Sequence, residues 1–169
     1  MEDIVADIFA ILAGVLILFI LPLSIVTLNM DNTAQGLIDN AVVEFTDNAR
    51  TTAVITAESY EKLCRAVDSA EKNCFIKITH SSKYAYSDGS DIDYLYYDYT
   101  KDDILNTIYT PTGDNQKYRM KNGDYLSVTV YSTKATLGTK IYRMVLPGFG
   151  SDTHTLHSVY SGMVGNNPE

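Results

Sequence analysis

Three histidines are the side chains best suited to metal or proton chemistry in this chain, and their spacing limits what they can do. His154 and His157 lie three apart beside Asp152; on a helix that separation would bring both imidazoles to one face as metal ligands. The surrounding THTLHSVY carries β-branched alternation and reads as a strand, where a separation of three turns the two rings to opposite faces. No metal site is expected there. His80 stands alone at the end of a predicted strand and reads as structural. The stretch SDGSDIDYLYYDYTKDD supplies Asp88, Asp91, Asp93, Asp98, Asp102 and Asp103, enough oxygen ligands in number for calcium. It lacks the alternating acids, central glycine and closing glutamate of an EF-hand loop, so it reads as a solvated acidic turn, with calcium around Asp88 to Asp93 as the alternative. A Gly-rich phosphate loop, G-x-S-x-G, HExxH and an acid pair in an apolar setting are all missing. No catalysis, cofactor or small-molecule substrate is expected.

Cys64 and Cys74 are the only cysteines. Their segment, EKLCRAVDSAEKNCFIKI, reads as a helix end followed by a strand start. A disulfide between them would staple helix to sheet outside the cytoplasm, the alternative being two unrelated buried thiols. CxxC spacing is absent, which argues against a zinc ribbon or a thioredoxin-like site.

The elements that must position these residues begin with an unbroken apolar run from Ile8 to Leu28, IFAILAGVLILFILPLSIVTL. As a helix it is about 31 Å long, which matches the ~30 Å hydrocarbon thickness of a bilayer. A cleaved secretory signal would carry a basic n-region, a shorter apolar core and a small-residue cleavage site. Here the flank is the acidic MEDIVAD, and no convincing A-x-A follows. The run therefore reads as a retained single-pass anchor in contact with membrane lipid. The first basic residue is Arg50, beyond the usual reach of the positive-inside rule, so flanking charge does not set the topology. Residues 1–7 form a short acidic tail, 8–28 the membrane span, 29–55 an amphipathic extension and 56–169 one α+β domain. The net charge of −8 repels nucleic acid and anionic lipid, and the basic residues are scattered along the chain.

Past the span, Leu37, Ala41, Phe45 and Ala49 recur at helical spacing together with Ile38, Val42 and Ala53, predicting an amphipathic packing face. The helix is expected from about Ile4 to Ile55, with any bend near Pro22, where a backbone donor is missing. A second helix starts near Thr56 as N-cap and ends near Ser69 to Asn73. From Cys74 the period changes to two, and an antiparallel sheet is expected across Cys74–Thr79, Tyr84–Tyr86 and Tyr94–Tyr97. Lys101–Tyr109 reads as a short helix capped by Thr100, with Ile104, Leu105 and Ile108 inward. In KYRMKNGDYLSVTVYS, Asn122 and Gly123 predict a tight hairpin with positive φ at both positions, and Leu126, Val128 and Val130 share the buried face. Leu137, Ile141, Met144 and Val145 form one helical stripe before Pro147 and Gly148, and a last strand covers about Thr153 to Met163. The tyrosines at 84, 86, 94, 96, 97 and 99 suit cross-strand pairing, or protein and glycan contact if exposed.

The N-terminal MEDIVADIFAILAGVLILFILP, the TAESYEKL helix start, the NGDYLSVTV hairpin and the closing SVYSGMV together resemble pilin-like and pseudopilin-like proteins, in particular the small single-span proteins of Tad-type (tight adherence) pilus systems. The resemblance implies a long N-terminal helix packed on an antiparallel sheet, an extracytoplasmic C-terminal domain, and partners among other pilin-like subunits and a pilus assembly platform. Assembly would run through the apolar helix. There Ala10, Ala13 and Gly14 permit close approach, and Leu18 and Pro22 lie on the same span. A standard prepilin has a glycine before its cleavage point and a glutamate at the fifth mature position; this chain has no such glycine and carries Val5. The resemblance therefore implies a minor or accessory subunit, the alternative being a membrane-anchored extracellular binding or sensor domain.

Overall fold

A computed structural model describes residues 2–87, 92–110, 117–145 and 155–165. Helix α1 runs from Glu2 to Thr52 as one 51-residue α-helix that includes Pro22. It ends where Ala53 takes a left-handed backbone with φ 54°, a conformation that stops a helix and that non-glycine residues adopt at a cost. The chain continues through β1 (Val54–Thr56), α2 (Ala57–Ala70), β2 (Cys74–Ser87), β3 (Ile92–Thr100), α3 (Lys101–Tyr109), β4 (Lys117–Arg119), β5 (Tyr125–Ser132), α4 (Leu137–Val145) and β6 (His157–Met163). Thr56 caps α2 as expected, and the capping box is completed by Ser59, whose hydroxyl accepts from the Thr56 amide. At the start of α3, Asp103 Oδ2 accepts from both the amide and the hydroxyl of Thr100.

Strands β3, β2, β5 and β6 make one antiparallel sheet in that order, and β1 pairs with β4 in a separate two-stranded sheet. One face of the large sheet is apolar: Ile76 pairs with Val130 and Ile78 with Val128, and Ile78, Val128, Val130 and Leu126 are buried. The C-terminal half of α1 covers this face through Ile38, Val42, Phe45 and Ala49, while Leu63 and Val67 of α2 and Ile104 and Ile108 of α3 close the core. The fold is thus α+β, a long helix laid on an antiparallel sheet.

The free edge of β6 is closed by side chains of α1. The Gln35 amide bonds both the N–H and the C=O of His157, at 3.2 and 3.0 Å, as a neighbouring strand would. Arg50 Nε donates to the Met163 carbonyl at 2.8 Å. An unpaired edge invites foreign strands, and these two side chains remove that liability on one side of the sheet.

Several expectations are corrected. KYRMKNGDYLSVTVYS is not a hairpin, because β4 pairs with β1 and β5 pairs with β2 and β6. Among the described non-glycine residues only Ala53 has positive φ, so Gly123 alone supplies it in the turn. The tight hairpin turns need positive φ at both positions (I′) or at the first (II′); with it only at the second, the flanking segments splay and find other partners. Leu37 is 49% exposed and does not share the packing face, which Ile38 and Val42 occupy one residue further round the helix. Ala41 is half-buried at its margin. Met144 is 83% exposed and does not point into the core. Cys64 and Cys74 are both free thiols. Cys64 sits within α2 beside Tyr60, whereas Cys74 lies beyond the helix end beside Glu71 and Asp68, so the nine intervening residues separate the two rather than fold them together. The last strand starts at His157; Thr153 and His154 lie outside the described residues, as do Asp88, Asp91, Pro147 and Gly148.

Candidate functional site

Among the described residues, the N-terminal half of α1 carries a long continuous run of exposed apolar side chains. Isoleucines 4, 8, 11 and 17, Phe9, Phe19, Leu12, Leu16 and Leu18 are all more than half exposed. Ala10, Ala13, Gly14 and Pro22 lie on the same exposed stretch, and a Cβ added at Gly14 would meet nothing within 4 Å. The chain therefore has one described helix long and apolar enough to cross a membrane, near its N-terminus.

The apolar surface does not stop at the end of that stretch. Leu23, Val26, Met30 and Leu37 continue it at helical spacing. Val26, Met30, Thr33, Ala34 and Leu37 then line an open groove of about 420 Å³ against Ser69 and Ala70 at the end of α2. Leu37, read with Ala41 and Phe45 as a face for the sheet or a partner, lines this groove.

A second cluster lies at the far end of the sheet, where the inward face of β2 turns from apolar to polar. His80 is 3% exposed, and its Nδ1 lies 2.7 Å from the Tyr118 hydroxyl while Nε2 lies 2.8 Å from Asp124 Oδ2. A carboxylate only accepts, so Nε2 carries the proton, and in the neutral ring Nδ1 then accepts from the Tyr118 hydroxyl. Asp124 also accepts from the Ser82 hydroxyl at 2.9 Å and from the Lys121 amide at 2.8 Å. Burial alone would raise the Asp124 carboxyl; the Lys121 amide, the His80 ring and the Ser82 hydroxyl together hold it below the usual carboxylate range. Burial, with the nearby Tyr99, pushes the Tyr118 phenol up, so it stays protonated and able to donate. The Tyr99 ring stacks on His80 with centroids 5.5 Å apart.

Both ring nitrogens of His80 are engaged, and the Ser82 hydroxyl points to Asp124 rather than to the imidazole. The cluster therefore presents no activated nucleophile. What it does is tie β2, β4 and the turn before β5 together at a place where apolar packing runs out. His80 read alone in the sequence because its partners are 38 and 44 residues away. The one local signal was Asp124 directly after Asn122 and Gly123, at a position where an acid can fold back onto its own turn.

No protein family, curated protein or solved structure matches this chain.

The tyrosines form a third feature. β5 pairs only with Cys74–Ser81 of β2, whereas β3 follows β2 out to Ser87, so the outer part of the β2–β3 pair is a two-stranded arm. Tyr84, Tyr86, Tyr94, Leu95, Tyr96 and Tyr97 are exposed on it. Lys83 Nζ stands 3.6 Å over the Tyr94 ring and Lys121 Nζ 4.3 Å over Tyr84, cation–π contacts that brace the arm. Among the described residues no group of three or more His, Cys, Asp or Glu could hold a metal ion. Asp98 accepts from Ser81, and Asp93 accepts from the Tyr94 amide next to it. His157 is exposed on β6, bound through its backbone to Gln35.

Proposed function

We propose that this protein is a structural or accessory, minor-pilin-like subunit of a bacterial pilus or pseudopilus secretion apparatus, held in the cell membrane by one pass with its C-terminal domain extracytoplasmic. The observation that supports this reading is the double use of α1. Its N-terminal half is apolar and exposed, while its C-terminal half is the backbone of the domain core. A helix built this way can exchange lipid for the helices of neighbouring subunits without disturbing the domain core, because residues Ile4 to Phe19 are exposed and take no part in it. Ala10 and Gly14 stand one turn apart, the small-residue spacing that lets two membrane helices approach closely. The partners on this reading are other pilin-like subunits and a membrane assembly platform, and no catalytic step or cofactor is involved.

The test is in-membrane crosslinking with single cysteines along Ile8 to Leu28, in a chain lacking Cys64 and Cys74 and in cells expressing the neighbouring genes. Assembly gives crosslinks to other small single-span proteins with helical periodicity, lost on Gly14→Asp while the domain stays folded. If every position meets only lipid, assembly through this helix is refuted. The exposed tyrosine arm favours one second reading, a membrane-anchored binding or sensor domain, because tyrosine offers large contact area with little loss of side-chain freedom. That reading gains if crosslinks are absent and substitutions on the arm abolish capture of an extracellular ligand.

A further inference from the structure

Helix α4 is attached to α1 where the membrane span ends. Thr136 caps it, accepting from the Thr139 amide at 3.2 Å, and the Thr136 and Thr139 hydroxyls both reach Asp31 Oδ2, at 2.7 and 3.3 Å. A Cβ on Gly138 would come within 2.5 Å of both Asp31 Oδ1 and the Thr27 carbonyl oxygen, so only glycine allows this approach. The first turn of α4 is therefore seated on the Thr27–Asp31 turn of α1.

Deeper along the span, Ile20 is the one described side chain between Ile4 and Val26 that is not exposed. Ile20, Thr27 and Asp31 fall at i, i+7 and i+11, which is one face of the helix. A nine-residue α4 following this face from Asp31 would account for all three, and would set its far end about 10 Å from Thr27 toward the N-terminus of α1. Met144, in the last turn of α4, is 83% exposed.

The charge in this region departs from that of the whole chain. The protein carries a net charge of −8, yet between Asp124 and Asp152 it has no acidic residue and carries Lys134, Lys140 and Arg143. All three are exposed. The nearest carboxylate on the facing helix, Asp31, is taken up by two threonine hydroxyls.

We propose that α4 is an interfacial helix, with Met144 in the acyl boundary of the leaflet on the domain side and Lys134, Lys140 and Arg143 on the phosphates of anionic phospholipids. The long basic side chains reach up to the headgroups from a helix that dips below them. The proposal rests on α1 being a membrane span. Its consequence is a fixed tilt and height of the domain over the bilayer, set by a second attachment beside the span.

The test uses the full chain in phosphatidylcholine vesicles with and without phosphatidylglycerol. A bimane label at Met144→Cys, in a chain with Cys64→Ala and Cys74→Ala, is compared with labels at Leu12→Cys and Asn122→Cys. The Met144 label is expected to be quenched by lipids carrying a nitroxide high on the acyl chain, and more so with phosphatidylglycerol; the Asn122 label is expected to answer only to aqueous iodide. Lys140→Gln with Arg143→Gln is expected to remove the phosphatidylglycerol effect. In the unsubstituted chain, phosphatidylglycerol is expected to slow tryptic cleavage after Lys140 and Arg143 about fivefold or more, the factor that ~1 kcal/mol per basic residue near an anionic surface gives. A Met144 label open to iodide while the Leu12 label is shielded, or equal cleavage in both lipids, overturns the proposal alone. A Leu12 label open to iodide overturns the span and α4's membrane contact together.

Discussion

Replacing Asp124 by alanine removes the acceptor shared by His80, Ser82 and the Lys121 amide, and at a longer 3.4 Å by the Lys83 amide. The losses are unequal, and the first three carry most of the cost. Asp124 is 2% and His80 3% exposed, so the His80 Nε2 proton is left without water or partner, which costs about 2 kcal/mol. The Ser82 hydroxyl can rotate and the Lys121 amide lies at an exposed residue, so each costs about 1 kcal/mol. The sum is about 4 kcal/mol, a large part of the ~7 to 20 kcal/mol that a domain of this size holds. Tyr118→Phe removes only the donor to Nδ1 and should cost about 1 to 2 kcal/mol. Because both partners act through one ring, the double variant should cost at least about 1 kcal/mol less than the sum. The assay is urea unfolding of the full chain in a maltoside detergent, followed by near-UV circular dichroism of the tyrosines. Asp98→Ala serves as the control, since that exposed carboxylate accepts from Ser81 at the surface. An Asp124→Ala cost under about 1 kcal/mol, or strict additivity with Tyr118→Phe, would refute the account of the cluster as a tie through His80.

Three further outcomes are expected. Asp124 is held below its ordinary value of 3.8, so in acid the unfolded chain takes up the proton first; stability is full above about pH 5 and falls as pH drops through the folded value, and urea midpoints across this range should show that loss in the native chain and less of it in Asp124→Asn. Cys64 and Cys74 should both alkylate without prior reduction, with Cys74 slow near neutral pH because burial, then Glu71 and Asp68, push its thiol up; alkylation only after reductant would show a disulfide. Gly138→Val drives a side chain into Asp31 and the Thr27 carbonyl and should cost about 2 kcal/mol while speeding tryptic cleavage after Lys140 and Arg143; unchanged cleavage would show that α4 is not held by this contact.

The sequence by itself determined the features whose causes lie within a few residues of one another. A helix long and apolar enough to cross a membrane follows from an apolar run of bilayer length, the starts of α2 and α3 from Thr56 and Thr100 as caps, and the buried face of β5 from the alternation of Leu126, Val128 and Val130. Phe45 and Ala49 were legible as buried for the same reason, since helical period is a local property. Leu37 and Met144 fit their stripes equally well, yet whether a stripe residue is covered depends on where a neighbouring element ends. Tertiary structure alone decided that β4 turns to β1 and that the two thiols stay apart. Only tertiary structure, too, brought Thr136, the cap of α4, to Asp31 across 105 residues of chain. His80 shows the physical reason most plainly. A buried polar group must be satisfied, but any donor or acceptor that packing brings within 3 Å can satisfy it, and nothing in the local sequence says which one that will be.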